Sequence, residues 1–397
     1  MTPAIRQYAI ITGNYWAFTL TDGALRMLVV LHFYALGYSP LAIAMLFLFY
    51  EFFGIVTNLI GGWLGARIGL NRTMHIGLAL QVGALLMLAV PSEWLLVAWV
   101  MAAQAISGIA KDLNKMSAKS SIKMLVPKDA QGSLYKWIAI LTGSKNTLKG
   151  VGFFLGAGLL ALFGFRGAVL GMAAALALVA VASLFLLQAD LGKAKGKPKF
   201  TEILSKDERV NRLSAARVFL FGARDIWFVV ALPVYMSAQL GWASWWVGAF
   251  MACWVIGYGV VQGFAPRITG VGQAGSVPDG RVAMLWGGAL AFVPLALALS
   301  LQISASVAIG LVVGLMVFGA LFAVNSSLHS YLIVAYAKED GVSMDVGFYY
   351  MANAAGRLLG TVLSGWVYQV WGLSACLWIS ASMIFLAAFI ARTLPRP

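Results

Sequence analysis

"DLGKAKGKPKFTEILSKDERVNR", residues 190–212, is a long polar, basic stretch in an otherwise strongly apolar chain of 397 residues. What lies on either side of it decides the fold. A bilayer core takes about 20 helical residues. Apolar runs of that length occur before it at 8–36, 41–63, 74–91, 94–115, 136–163 and 167–189. Six more follow at 213–239, 243–264, 282–301, 304–335, 344–371 and 373–393. The separators are short and carry Gly, Pro or Ser, as in "LGYSP", "VPSE" and "GFRG". The expected fold class is all-α integral membrane, with twelve transmembrane helices in two six-helix halves. The expected domains are 1–189, the basic linker 190–212, and 213–397.

Composition agrees. Hydrophobic residues make up 61% and charged residues 11%, with mean hydropathy +0.87, whereas soluble domains are about a quarter charged. The net charge of +14 does not point to nucleic acid, because most basic residues fall in the short connections. Cys253 and Cys376 lie far apart in apolar spans and form neither a disulfide framework nor a metal site. No cofactor is expected, and no enzyme activity. The start, "MTPAIRQYAIITGNYW", reads as a retained first helix rather than a signal peptide.

Basic residues alternate across the separators. Arg6, Arg67, Arg72, Lys119, Lys123, Lys128, Lys193, Lys195, Lys197, Lys199, Lys206, Arg209, Arg281, Lys338, Arg392 and Arg396 share one side; Arg166 stands almost alone on the other. The positive-inside rule then puts both termini and the linker in the cytoplasm.

The halves also repeat. "DGALRMLVVLHFYALGY" from Asp22 aligns with "DIWFVVALPVYMSAQLGW" from Asp225. Lys149 lies fifteen residues before Gly164, and Arg357 fifteen before Gly372. Parallel repetition of six-helix halves resembles the major facilitator architecture, in which the substrate sits between the halves near the midplane. "GWLGARIGLNR" (62–72) resembles that family's G-x-L-x-D-R-x-G-R-K loop at Gly62, Leu64, Arg67 and Gly69, but Ala66 replaces the acid.

Charges at membrane depth cost several kcal/mol unless they face protein, water or a partner, so each is a functional candidate. Asp22 and Arg26, four apart, either neutralise each other locally or leave Arg26 facing a cavity while Asp22 tunes it or carries a proton. Glu51 is either a proton carrier or the counter-ion of a lysine on another helix. Arg224 and Asp225 point about 100° apart on a helix, so one of them is expected to face the cavity. Lys145 and Lys149 stack one turn apart with no acid in their span, an arrangement explained by an anion between them. Arg357, the counterpart of Lys149, would add a planar fork suited to phosphate-like oxygens. Lys111 and Asp112 lie on the inner half of the fourth span. Asn14, Tyr15, Asn325, Ser326, His329 and Asn353 either hydrogen-bond a bound molecule or join helices. Trp242, Trp245 and Trp246 read as an interfacial aromatic belt. The glycines of "GVGFFLGAG" permit close helix approach. In "KDLNKMSAKSSIK" (111–123), Lys111 is expected inside the bilayer, with Lys119 and Lys123 in screening water.

Five stretches carry a closer resemblance: "TGNYWAFTLTDGALRMLVVLHF" (12–33), "AMLFLFYEFFGIVTNLIGGWLG" (44–65), "SGIAKDLNKMSAKSSIK" (107–123), "LTGSKNTLKGVGFFLG" (141–156) and "FLFGARDIWFVVALPVY" (219–235). They resemble the ArsJ-type organoarsenical efflux permeases of the major facilitator superfamily. The resemblance implies export of 1-arseno-3-phosphoglycerate, formed by a glyceraldehyde-3-phosphate dehydrogenase when arsenate replaces phosphate, and hence arsenate resistance in a bacterial inner membrane. That enzyme would be a functional partner, alongside the lipid bilayer and the small anionic substrate. The substrate contacts expected are Lys149, Arg357, Lys145, Arg26, Lys111, Arg224, Asn353, Asn325, His329, Tyr15 and Asn14. Asp22, Glu51, Asp225 and Asp112 are the proton-coupling candidates. The alternatives are an organophosphate:phosphate exchanger and, ranked below it, a non-transporting membrane sensor.

Overall fold

The computed structural model describes residues 3–38, 46–127, 130–187, 191–196, 198–270, 277–303 and 307–397. The starts expected for the second and tenth spans (41–45 and 304–306), residues 188–190, Lys128 and Lys197 lie outside the described residues, as does the side chain of Trp245. Among the described residues the protein is all-helical and has no strand. The helices are α1 (Pro3–Ala35), α2 (Leu48–Ile68), α3 (Leu70–Leu88), α4 (Val97–Leu125), α5 (Gln131–Leu186), α6 (Glu208–Phe228), α7 (Ala231–Ala238), α8 (Ser244–Ile268), α9 (Gly280–Ile303), α10 (Val307–Tyr336) and α11 (Val342–Arg392).

Two of these helices each hold two spans. α5 bends at Gly164 (φ 66°, ψ 177°) and α11 at Gly372 (φ 76°, ψ −176°). Both lie at positive φ, which glycine adopts without the Cβ clash of other residues. These are the two glycines that share a register in the sequence repeat. With α6 and α7 forming one span over Glu208–Ala238, the described residues make twelve membrane-length helical segments. α4 continues to Leu125, ten residues past the expected boundary, and α2 and α3 are separated by Gly69 alone.

Residues cluster into two compact units. One holds 1–129, 144–204 and 337–351; the other holds 130–143, 205–336 and 352–397. In a bilayer, helix association rests on close packing and polar bridges rather than on water exclusion, and the first unit shows both. A Cβ on Gly108 would come within 2.6 Å of the Tyr50 carbonyl, so α4 meets α2 backbone to backbone. The Ser107 hydroxyl donates to the Gln81 Oε1 at 2.8 Å, tying α4 to α3. Residues 191–196 of the linker join the α2–α3 corner through Leu70 N–H to the Leu191 carbonyl and Ala194 N–H to the Ala66 carbonyl, each 2.8 Å. Ala66, where the loop lacks its acid, is thus a fully buried backbone docking point.

The second unit centres on aromatic packing. Trp227 meets Phe318 edge-on at 4.8 Å, and Trp254 stacks on Tyr258 at 5.7 Å while donating to the Leu315 carbonyl at 2.8 Å. Large apolar side chains on the outer faces, such as Phe185 at 83% and Leu162 at 77% exposed, suit contact with lipid chains.

Candidate functional site: a cation-rich cluster in each unit

Small residues place the charges of the first unit. α5 crosses α1 where Cβ atoms on Gly152 and Gly156 would meet the Leu20 and Ala24 carbonyls at 2.9 and 2.3 Å. Likewise, a Cβ on Gly23 would come within 2.7 Å of the Lys149 carbonyl. Gly152 and Gly156 of "GVGFFLGAG" therefore permit close approach, whereas Gly158 faces open space, and the crossing brings Lys149 beside the α1 charges. Its electrostatic neighbours are Arg26, Asp22, Lys145 and Lys111. Among the described residues the Lys149 ammonium makes no hydrogen bond or ion pair, while Lys145 donates to the Asn146 Oδ1 at 3.2 Å.

The acids and cations around it are sorted by Tyr50, which is 3% exposed. Its hydroxyl donates to Asp22 Oδ1 at 2.6 Å, with Lys111 Nζ 3.8 Å and the Arg26 guanidinium 5.0 Å from its ring centroid. A ring that takes cations on its face supplies attraction without spending a carboxylate. Arg26 of α1 forms an ion pair with Glu51 at 3.1 Å, so an arginine on a neighbouring helix serves Glu51 as a counter-ion. Asp22, in turn, holds Tyr50 instead of serving only as a local partner four residues from Arg26. Asp112 accepts from Lys115 at 2.6 Å. Tyr15, 2% exposed, has Tyr350, Asp112 and Asp22 as electrostatic neighbours and a buried hydroxyl with no hydrogen-bond partner among the described residues. Asn14 donates to the Met74 sulfur at 3.8 Å.

The lysine row of α4 departs from expectation. Lys119 is 3% exposed and donates to the Tyr350 hydroxyl; Lys123 donates to the Ala337 carbonyl. Lys119 is therefore buried rather than in water, while Lys123 is part-buried. Segment 337–351 lies in the same unit and meets this end of α4 through the Tyr350 ring and hydroxyl and the Ala337 carbonyl. The ring of Tyr350 has Lys115 Nζ at 4.8 Å and Lys119 Nζ at 4.6 Å from its centroid.

The second unit repeats the design with arginines. α11 crosses α6 where Cβ atoms on Gly356 and Gly360 would meet the Val218 and Gly222 carbonyls at 2.4 and 2.6 Å. That crossing carries Arg357 to Asp225, whose carboxylate is fully buried. Asp225 Oδ1 accepts from Arg224 Nε at 2.6 Å and Oδ2 from Arg357 Nε at 3.0 Å. The neighbours Arg224 and Asp225 thus bind each other despite pointing apart on the helix. Arg224 also faces the rings of Phe221 at 4.9 Å and Phe322 at 5.4 Å.

Arg217 was missed from sequence. It is 3% exposed, lies 3.7 Å from the Phe221 ring centroid, donates to Asn353 Oδ1 at 2.8 Å, and is an electrostatic neighbour of the buried His329. Its position inside the expected span 213–239 is the signal that would have found it. Asn325 donates to the Leu321 carbonyl of its own helix at 3.0 Å and so is engaged locally. The structure therefore gathers Asp22, Arg26, Glu51, Lys111, Lys145 and Lys149 in one cluster. It gathers Arg224, Asp225 and Arg357 in another, with Asn353 and His329 beside Arg217.

The fold is shared widely. The human organic anion transporter MFSD10 aligns with 98% of this chain and 100% of its own at TM-score 0.78 and 16% identity. The E. coli fucose:proton symporter FucP aligns with 98% of each chain at TM-score 0.75 and 10% identity. A bacterial homologue of the iron transporter ferroportin, in an outward-facing state, aligns with 96% of this chain and 98% of its own at TM-score 0.70 and 12% identity. No curated protein matches the sequence. The family profile described as Major Facilitator Superfamily matches residues 11–273. A multi-pass membrane protein with that profile over most of its length and this twelve-segment helical fold belongs to the Major Facilitator Superfamily of secondary transporters.

Proposed function

We propose that this transporter exports a small, multiply anionic organoarsenate or organophosphate by alternating access, with 1-arseno-3-phosphoglycerate as the natural cargo. The observation that carries the reading is Lys149, an ammonium within a span, with Arg26, Lys145 and Lys111 as well as Asp22 for electrostatic neighbours and no hydrogen bond or ion pair among the described residues. A cation left so in a low-dielectric setting is stabilised by an anion from outside the protein. Lys145, Arg26 and Lys111 in the first unit, and Arg357 and Arg224 in the second, are the further contacts we assign to phosphoryl and arsenoyl oxygens. The resemblance to organoarsenical permeases names the cargo. It also implies arsenate resistance, a bacterial inner membrane with both termini cytoplasmic, and a glyceraldehyde-3-phosphate dehydrogenase as the source of the cargo. The repeats that alternate would be 1–189 and 213–397, joined by 190–212.

Inverted vesicles should accumulate freshly made arsenated phosphoglycerate when a pH gradient is imposed. Uptake no greater than in empty vesicles would overturn the reading.

A second reading is favoured by one observation: every candidate proton carrier already has a partner. Asp22 is held by Tyr50, Glu51 by Arg26, Asp112 by Lys115, and Asp225 by two arginines. That arrangement suits an organophosphate:phosphate exchanger, which needs no proton step. Counterflow against internal phosphate without a pH gradient would select it.

A further inference from the structure

We propose that Tyr50 is the positioning residue of the first cluster: its hydroxyl holds the Asp22 carboxylate away from Lys149, so that Lys149 meets an incoming anion with no internal ion pair to break. This rests on the anion-transport reading and adds to it the device that keeps the site open to cargo.

Three observations lead here. First, Asp22 is an acid within reach of Lys149. The two are electrostatic neighbours, and their helices touch at this level, since a Cβ on Gly23 would come within 2.7 Å of the Lys149 carbonyl. The lysine ammonium rides on a flexible four-carbon stem. Opposite charges at short range attract strongly in a low-dielectric setting. Yet among the described residues Asp22 and Lys149 form no ion pair, with each other or with any other group. A third group holds them apart.

Second, Tyr50 supplies that hold. It is 3% exposed, and its hydroxyl donates to Asp22 Oδ1 at 2.6 Å. Donation to a carboxylate is roughly twice as strong as a hydrogen bond between neutral groups. The phenol therefore satisfies the carboxylate while bringing no charge of its own, and no cation of the cluster is consumed in doing so. The backbone of Tyr50 is itself fixed, because a Cβ on Gly108 would come within 2.6 Å of its carbonyl.

Third, the same side chain serves a second ammonium. Lys111 Nζ lies 3.8 Å from the Tyr50 ring centroid and, among the described residues, makes no hydrogen bond or ion pair. The other acids of the cluster are engaged, Glu51 by Arg26 and Asp112 by Lys115. Tyr50 thus steadies Lys111 with its face and Asp22 with its hydroxyl. Without the hydroxyl, Asp22 turns to Lys149, and an arriving anion has to displace an internal carboxylate before it binds.

Tyr50→Phe keeps the ring and removes the hydroxyl, and two measurements on the purified full chain use it. The first needs no ligand. Lys149→Gln should leave the thermal unfolding midpoint of the wild-type chain unchanged or raised, and should lower it in Tyr50→Phe, where Lys149 has gained a partner. The same shift in both backgrounds would overturn the proposal. The second is equilibrium binding of 3-phosphoglycerate. Tyr50→Phe should weaken it about tenfold, the change expected from one hydrogen bond to a charged group. Adding Asp22→Asn should recover most of that loss, while the same change in the wild-type chain should alter affinity much less. A hydroxyl that only supports the fold gives no such recovery, so an equal effect of Asp22→Asn in both backgrounds would overturn the positioning role. A wild-type chain that binds no 3-phosphoglycerate, with the unfolding cycle as expected, would count against the anion-transport reading alone.

Discussion

The two clusters reach a similar charge by opposite means. In the first unit, Arg26, Lys111, Lys115, Lys145 and Lys149 face Asp22, Glu51 and Asp112, a surplus of two cations when all are ionised. In the second, Arg224 and Arg357 share Asp225 and Arg217 lies against Asn353 and Phe221, three cations to one acid among these residues and again a surplus of two. Four of the five cations in the first unit are lysines, point charges on flexible stems. All three in the second are arginines, held by one buried carboxylate and by aromatic rings. Guanidinium is more weakly hydrated than ammonium and stacks on rings, so it can be fixed inside protein with fewer counter-charges. The difference separates a cluster built for an exchangeable partner from one whose shape is set in advance.

The sharpest way to break the comparison is to remove its acids. Asp225→Asn leaves Arg224 and Arg357 without their shared anion, and breaking a buried pair from one side costs about 3–5 kcal/mol. Glu51, whose side chain is 35% exposed, should lose about 1 kcal/mol or less as Glu51→Gln. Thermal unfolding in detergent should show a large drop for the first variant and a small one for the second. Equal drops would mean that the two units are not differently built.

Next in size is Lys149→Gln. A charge-assisted contact to cargo is worth about 1.5–3 kcal/mol, so transport should fall roughly tenfold to a hundredfold. Thermal stability should hold or rise, because a part-buried charge with no ion pair among the described residues is gone. The counterpart Arg357→Gln should lose transport and stability together, since it also strips Asp225 of a donor. Transport near wild type in Lys149→Gln would remove that lysine from the cargo path.

The glycine crossings give a smaller, graded effect. Overpacking of this kind costs about 1–3 kcal/mol. Gly356→Ala forces a Cβ to 2.4 Å from the Val218 carbonyl, whereas Gly152→Ala meets the Leu20 carbonyl at 2.9 Å. Melting temperatures should therefore fall further for Gly356→Ala. The reverse order would show that the α11–α6 crossing yields more readily than the α5–α1 crossing.

How much of this was legible in the sequence follows from how far apart the partners lie. Spans and the paired glycine bends are local signals, so twelve segments and the matched positions of Lys149 and Arg357 could be read directly. Arg217 was within reach of the same rule that flagged Arg224. The fate of Lys119 was not, because Tyr350 lies 231 residues away and nothing near Lys119 in the chain announces a ring waiting for it. Tyr50 was illegible for a related reason: a tyrosine in a span looks like packing until the structure shows two cations at its ring and a carboxylate at its hydroxyl. The pairing of Arg26 with Glu51 likewise needed the α1–α2 geometry, which no spacing rule supplies.

The smallest effect contrasts how each unit receives the linker. The first unit takes residues 191–194 through backbone hydrogen bonds to Leu70 and Ala66, which carry no titratable group. The second begins at an N-cap: Asp207 accepts from the Arg209 N–H at 2.9 Å and from its guanidinium at 2.7 Å. The Arg209 side chain, followed by backbone donors, holds the Asp207 carboxyl below its ordinary value against the opposing effect of burial. A carboxyl depressed in the folded state binds fewer protons there than when unfolded, so its contribution to stability is present above about pH 4, the unfolded value. It fades as the pH falls through the lower folded value. Asp207→Ala should cost about 1 kcal/mol at neutral pH, the usual worth of such a cap, and that deficit should shrink on acidification. Amide exchange at the start of α6 should rise in the variant at pH 7 and converge with wild type at the acid end, while residues 191–194 stay unchanged throughout. A deficit that persists undiminished in acid would mean that the cap acts through its shape rather than its charge.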